Sequence, residues 1–224
     1  MDASMMKRPF PSFARLSTLL VLAVAGTTPA VADDTALQVA ARAPAFAQAA
    51  QAACNAVALP PSQPPLEIER AIRDAREEIS TAVVSDETLP AAAPILEALA
   101  ERIGDLDTVP SLELQMLRDA LANRAGDTTR VIEGRAFVHA LLEHIASSGD
   151  GATPATAWHA CLIGNQRVFA QQMLQARGVA RQALVHEADR HYDRLTLTMA
   201  DGSTREVYFD VTDLFKRNAE ALLR

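Results

Sequence analysis

At Gly178 the spacing of apolar residues changes from intervals of three and four to an interval of two, and few chains can satisfy both patterns with one kind of element. After that point Leu195, Leu197 and Met199 alternate with Arg194, Thr196 and Thr198, and Val207, Phe209 and Val211 alternate with Glu206, Tyr208 and Asp210. Asp201-Gly202 lies between the two runs, which predicts a β-hairpin. Gln182 to Glu187 reads as a third strand, and Thr212 or Asp213 as the cap of a closing helix toward Leu223. Ahead of Gly178 the pattern is helical. The expected fold class is therefore α+β: an antiparallel α-helical array, then a small antiparallel β-meander, then a C-terminal helix.

The helical part divides at its prolines and glycines. Thr35 to Ala58 is rich in alanine and interrupted by Pro44, which must kink or split the helix. Pro60-Pro61-Ser62-Gln63-Pro64-Pro65 reads as an extended spacer and a structural break. Leu66 to Val84 sets Ile72, Ala75, Ile79 and Val83 on one stripe and covers the rest with charge. Further helices are expected at Ala91 to Ile103, Ser111 to Arg124 and Arg130 to Ser147, the last with Val138, Leu141, Leu142 and Ile145 on its apolar stripe. A last one opens with Thr153 as cap and Pro154 at its first position, carries Trp158, Leu162, Phe169 and Met173, and ends before Gly178. No fixed repeat period runs through these segments.

The first 32 residues have the layout of a secretory leader. Lys7, Arg8 and Arg15 precede an apolar run from Leu16 to Ala25, and Ala30-Val31-Ala32 supplies a small-x-small cleavage pattern. The run is about half the ~20 residues of a spanning helix, so a permanent anchor is the weaker alternative and no later stretch replaces it. The expected organisation is a leader at 1–32, an alanine-rich segment and spacer at 33–65, and one globular domain at 66–224. A periplasmic or secreted location follows.

Removing the leader takes away three basic side chains and Asp2, which lowers the chain's 21 basic and 28 acidic residues to 18 and 27, a net of −9. Such a surface is a poor partner for nucleic acid or anionic lipid. Only 4% of the residues are aromatic, so the core must be largely aliphatic. Cys54 and Cys161 are the only cysteines, and in an oxidising compartment they form the one candidate disulfide, with two buried thiols as the alternative.

No motif reaches the specificity of a catalytic, metal or cofactor site. His186-Glu187 with His191, and His139 with His144, space their histidines five apart, where a zinc-protease helix needs four. Glu143, four after His139, can share its face. His159 lies two residues before Cys161, Ser147-Ser148 and Ser203 sit in turns without a hydrolase elbow, and Asp150-Gly151 and Asp201-Gly202 are isolated turns. The expectation is an exported, non-enzymatic binding or assembly module without cofactor, whose partner is a protein or small ligand. A hydrolase with an unrecognised site is the alternative.

The C-terminal half resembles a family of uncharacterised exported bacterial proteins. The resemblance covers roughly residues 130 to 216, through Gly149-Asp150-Gly151 with Pro154 and Thr156-Ala157, Gln182-Ala183-Leu184, Tyr192-Asp193-Arg194-Leu195 and Val207-Tyr208-Phe209-Asp210-Val211. It implies compartment and architecture, and no catalytic residue.

The hairpin admits two loops. A two-residue loop would pair Leu195 with Tyr208 and mix core and surface side chains on one face. A three-residue loop, Ala200-Asp201-Gly202 with Gly202 left-handed, pairs Leu195 with Val207 and Asp193 with Phe209, and is expected. The other face then collects Tyr192, Arg194, Tyr208 and Asp210 in a polar and aromatic strip. Such strips are ordinarily solvated sheet faces; the functional alternative is that these four residues contact a ligand or partner.

Overall fold

The computed structural model of the protein describes residues 29–58 and 63–223. The expected leader lies outside the described residues up to residue 28, and the expected spacer lies partly outside them, at residues 59–62. Helix α1 spans Pro29–Ala58, α2 Pro65–Ala82, α3 Ala92–Ile103, α4 Leu112–Arg124 and α5 Thr128–Ser147. Strand β1 is Trp158–His159, followed by helix α6 (Ile163–Leu174), strands β2 (Ala176–Glu187), β3 (Arg190–Met199) and β4 (Thr204–Asp210), and helix α7 (Thr212–Leu222). The fold is α+β, as the change of period requires.

Side-chain caps fix two helix starts, and α5 opens two residues ahead of the expected Arg130. Ser111 accepts a hydrogen bond from the Leu114 N–H at 3.2 Å, and Asp127 accepts one from Arg130 N–H at 3.0 Å. Ile72 and Ile79 on α2, and Val138, Leu141, Leu142 and Ile145 on α5, are buried along their expected stripes. Pro44 does not split α1, which is one helix through that position. Ala50, Ala53 and Cys54 of α1 join α5, Phe169 of α6 and the inner residues Leu195, Leu197, Val207 and Phe209 of the sheet in one core cluster. A second cluster fills the space between α2, α3 and α4. Two buried amides tie α6 to its neighbours. Asn165 accepts from Leu112 N–H at 2.9 Å and donates to Pro110 O at 2.7 Å, while Gln166 donates to Asp193 Oδ2 at 2.9 Å.

The helix expected to start at Pro154 does not form as one element. Pro154–Thr156 is a single 3-10 turn, capped by Thr153 and Thr156, and the chain then extends through β1 before α6 begins at Ile163. Tertiary packing accounts for the break. Trp158 buries its ring 4.9 Å from Phe169 and 5.5 Å from Phe209, and its indole N–H donates to Gly149 O at 2.9 Å. A helical register would carry the ring away from all three.

The sheet is four-stranded and mixed, in the order β1-β4-β3-β2, with β1 parallel to β4 and the other pairs antiparallel. The expected meander thus gains a parallel edge strand that its two residues were too short to reveal. The hairpin has the three-residue loop: Leu195 faces Val207, Asp193 faces Phe209, Leu197 faces Arg205, and Gly202 has φ +84°. The third strand is longer than expected, reaching back to Ala176. Neither Thr212 nor Asp213 caps α7; its N-cap is Val211, and the Thr212 hydroxyl instead accepts from His191 N–H at 2.9 Å.

Candidate functional site

Register decides which side chains share the outer face of the sheet. His159 on β1 pairs with Asp210 on β4, and Asp210 pairs with Tyr192 on β3, so the three form one row across the strands. The next row holds Tyr208 and Arg194, and the third Glu206 and Thr196. All four residues of the expected strip, Tyr192, Arg194, Tyr208 and Asp210, are on this face. Their environments differ from the expected solvated surface, because Tyr192 and Asp210 are buried and only Arg194 and Tyr208 remain partly open.

Asp210 is the centre of the row. Its side chain is 6% exposed and forms an ion pair with Arg190, and Oδ1 accepts from Thr212 N–H at 2.9 Å. Oδ2 lies 3.6 Å from Nε2 of His159, whose side chain is 60% exposed. Burial alone would raise the Asp210 pKa; the hydroxyl and amide of Thr212 together with the Arg190 guanidinium outweigh it and hold the carboxyl below its ordinary value. A buried anion is therefore compensated from the solvent side by Arg190 and flanked by an open imidazole. Arg190 also lies 5.8 Å above the Tyr192 ring, which explains the burial of a tyrosine on an outer face. Arg194 is only 3.9 Å from Glu206, a loose pair.

Sequence reasoning missed Arg190 and His159 as members of this face. Both lie outside the alternating runs, and their partners are 20 and 51 residues away along the chain, a separation that only strand order closes. The five-residue spacing of His186 and His191 likewise rules out a shared helix face, yet the β2–β3 turn brings their Nδ1 atoms to 3.3 Å, and His191 stacks on Phe215 at 4.1 Å. The pair is a turn contact beside α7, on the opposite face of the sheet from the Asp210 row.

The cysteines form the expected bridge, Cys54 to Cys161, with Cα atoms 4.9 Å apart. His144 of α5 lies near it, and these three side chains bring their ligand atoms within 4.8 Å of one another. While the sulfurs are joined they are not thiolates, so the trio has no metal-binding donor set in this state. Burial first, and then the charge of His159, lowers the His144 pKa.

A cleft of about 280 Å³ is bordered by Phe46 of α1, Arg118 of α4, and Glu133 and Phe137 of α5. Its charges answer one another. Asp107 accepts from both Arg118 and Arg130, Glu133 pairs with Arg42, and Asp119 pairs with Arg135. Buried Arg118 also donates to Leu106 O at 2.7 Å and to Gln115 Oε1 at 3.0 Å. These bonds fasten the 105–109 loop to α4.

The segment Gly149-Asp150-Gly151 is built for packing. Gly151 has φ +65°, and a Cβ there would collide with the Trp158 ring; a Cβ on Gly149 would collide with the Thr156 carbonyl. Asp150 closes the turn by accepting from Ala152 N–H at 2.9 Å.

The family model described as "Domain of unknown function (DUF4919)" matches residues 91–220. That stretch holds α3 to α6, the whole sheet and the Asp210 row, and leaves out Cys54 and its helix. No curated protein and no solved structure matches the chain.

Proposed function

The chain belongs to the DUF4919 family, a domain of unknown function, and from that premise we propose that it is an exported, non-enzymatic binding module whose outer sheet face receives an anionic group of a ligand or partner protein. One observation carries the reading: Arg194, Tyr208, Arg190 and His159 line an open sheet face around a carboxylate already neutralised by its own partners. The face therefore offers guanidinium, imidazole and phenol donors beside the exposed carboxylate of Glu206, which Arg194 meets only loosely at 3.9 Å, on a chain whose net charge is −7. Guanidinium and phenol groups supply directional hydrogen bonds with large contact area. The ion-paired cleft supports binding over catalysis, since its acids and bases already engage one another. Among the described residues no helix is long and apolar enough to cross a membrane.

Export supports the same reading through the Ala30-Val31-Ala32 pattern and the disulfide, which is typical of oxidising compartments. The processed protein is expected to begin at Asp33. Intact mass of protein recovered from the producing cell's envelope or medium checks this, and a start far from Asp33 refutes it.

Titrating the processed protein with a hexaglutamate peptide, followed by amide and arginine side-chain resonances, is expected to shift Arg194 and Tyr208 and to spare the helices. Arg194→Glu is expected to weaken that binding about tenfold or more, the loss of one charge-assisted contact and the gain of a repulsion. Equal binding by wild type and Arg194→Glu, or no shift at millimolar peptide, overturns the proposal.

A further inference from the structure

We propose that β2 is a self-pairing edge, through which two copies of the chain join their sheets antiparallel about Leu184. The strand ends the sheet order, and its far side bonds no strand among the described residues. Two register shifts, at Ala176/Gly178 and Val179/Arg181, distort its first half, which leaves Arg181–Glu187 as the regular portion. Bulges of this kind blunt an edge where they occur, so only these seven residues offer a straight template.

The direction of their backbone groups follows from the rest of the sheet. Tyr208 N–H donates to Gly151 O at 2.9 Å, away from β3, so Tyr208 and Arg194 are a non-hydrogen-bonded pair. Arg194 then points its own N–H and C=O at Ala183, and the alternation turns those of Gln182, Leu184 and His186 outward to the free edge. Two such edges meet with Leu184 facing Leu184 and Gln182 facing His186 on either side. Each facing pair exchanges two N–H···O=C bonds.

The side chains are complementary in this register. Leu184, 55% exposed in the single chain, covers its own copy on the inner face. On the outer face Ala183 meets Val185, and Arg181 meets Glu187 at both ends of the contact, so each interface holds two opposite-charge pairs. Shifting the centre by two residues toward the N-terminus would face Gln182 with Gln182, reach into the bulge, and lose the pairing of Arg181 with Glu187. The product is one continuous eight-stranded sheet carrying two copies of the Arg194–Tyr208 face, and the inference does not depend on what that face binds.

Sedimentation velocity of the processed protein over a range of micromolar to millimolar concentrations tests the register. Wild type is expected to show a monomer–dimer equilibrium. Arg181→Glu and Glu187→Arg are each expected to weaken the dimer about tenfold or more, by placing like charges at both ends. The double variant Arg181→Glu/Glu187→Arg restores it. An equimolar mixture of the two single variants forms a heterodimer, because each then meets the opposite charge. Misfolding cannot imitate that recovery. A wild type that stays monomeric throughout, single variants that dimerise as wild type does, or a mixture and double variant that both remain monomeric overturn the proposal.

Discussion

Replacing both Cys54 and Cys161 by alanine is expected to lower unfolding free energy by about 4 to 5 kcal/mol, the largest effect of any change considered. The bridge joins residues 107 apart, so it removes a long loop's worth of freedom from the unfolded chain. It also links α1 to the bend between β1 and α6, beside the core residues Ala50, Ala53 and Phe169. Both sulfurs are buried, and alanine leaves a small unfilled space there as well. Urea unfolding of the oxidised wild type and the double variant measures the difference. Wild type unfolded under reducing conditions should match the variant. A loss below about 1 kcal/mol would mean that the bridge contributes little beyond the packing around it.

Gly151→Ala is expected to cost about 3 kcal/mol or more, well above the cost of Gly202→Ala. Both glycines have left-handed backbones, at φ +65° and +84°, and both substitutions incur the ~1 kcal/mol of forcing a Cβ into that region. The surroundings separate them. A Cβ at Gly202 meets nothing within 4 Å, whereas one at Gly151 drives into the Trp158 ring. The ring cannot retreat, since Phe169 and Phe209 pack against it and its N–H is held by Gly149 O. Overpacking of this kind adds about 1–3 kcal/mol. Trp158 is the only tryptophan in the chain, so its fluorescence reports both unfolding and local displacement. Equal costs at the two glycines would show that the Trp158 pocket yields without resistance.

These two results also bear on what the Gly-Asp-Gly segment does. Its glycines are explained by close approach of backbone and ring, and its aspartate by a turn bond, so the most recognisable pattern in the C-terminal half maintains the edge of the core. The face proposed to bind, with Arg194, Tyr208, Arg190 and His159, lies beside it, since Gly151 O accepts from Tyr208 N–H at 2.9 Å.

What the sequence determined by itself was everything carried by short-range periodicity. The helical stripes of α2 and α5 and the three-residue hairpin loop follow from neighbours within a few positions, because amphipathic burial and turn geometry act at that range. The partners of the disulfide belonged here too, since only two cysteines existed, while the choice of a bridge over two free thiols came from their 4.9 Å Cα separation in the fold. Tertiary structure alone decided three further things. It placed Trp158 in a parallel strand and not in a helix, because three ring and hydrogen-bond partners outweigh the propensity of one short segment. It buried Tyr192 and Asp210 on a face that alternation marks as wet, because Arg190, whose position follows from the β2–β3 turn, folds over one and neutralises the other. It set β2 at the end of the strand order with Gln182, Leu184 and His186 turned outward, since strand order depends on contacts between segments far apart in the chain, which no local pattern records.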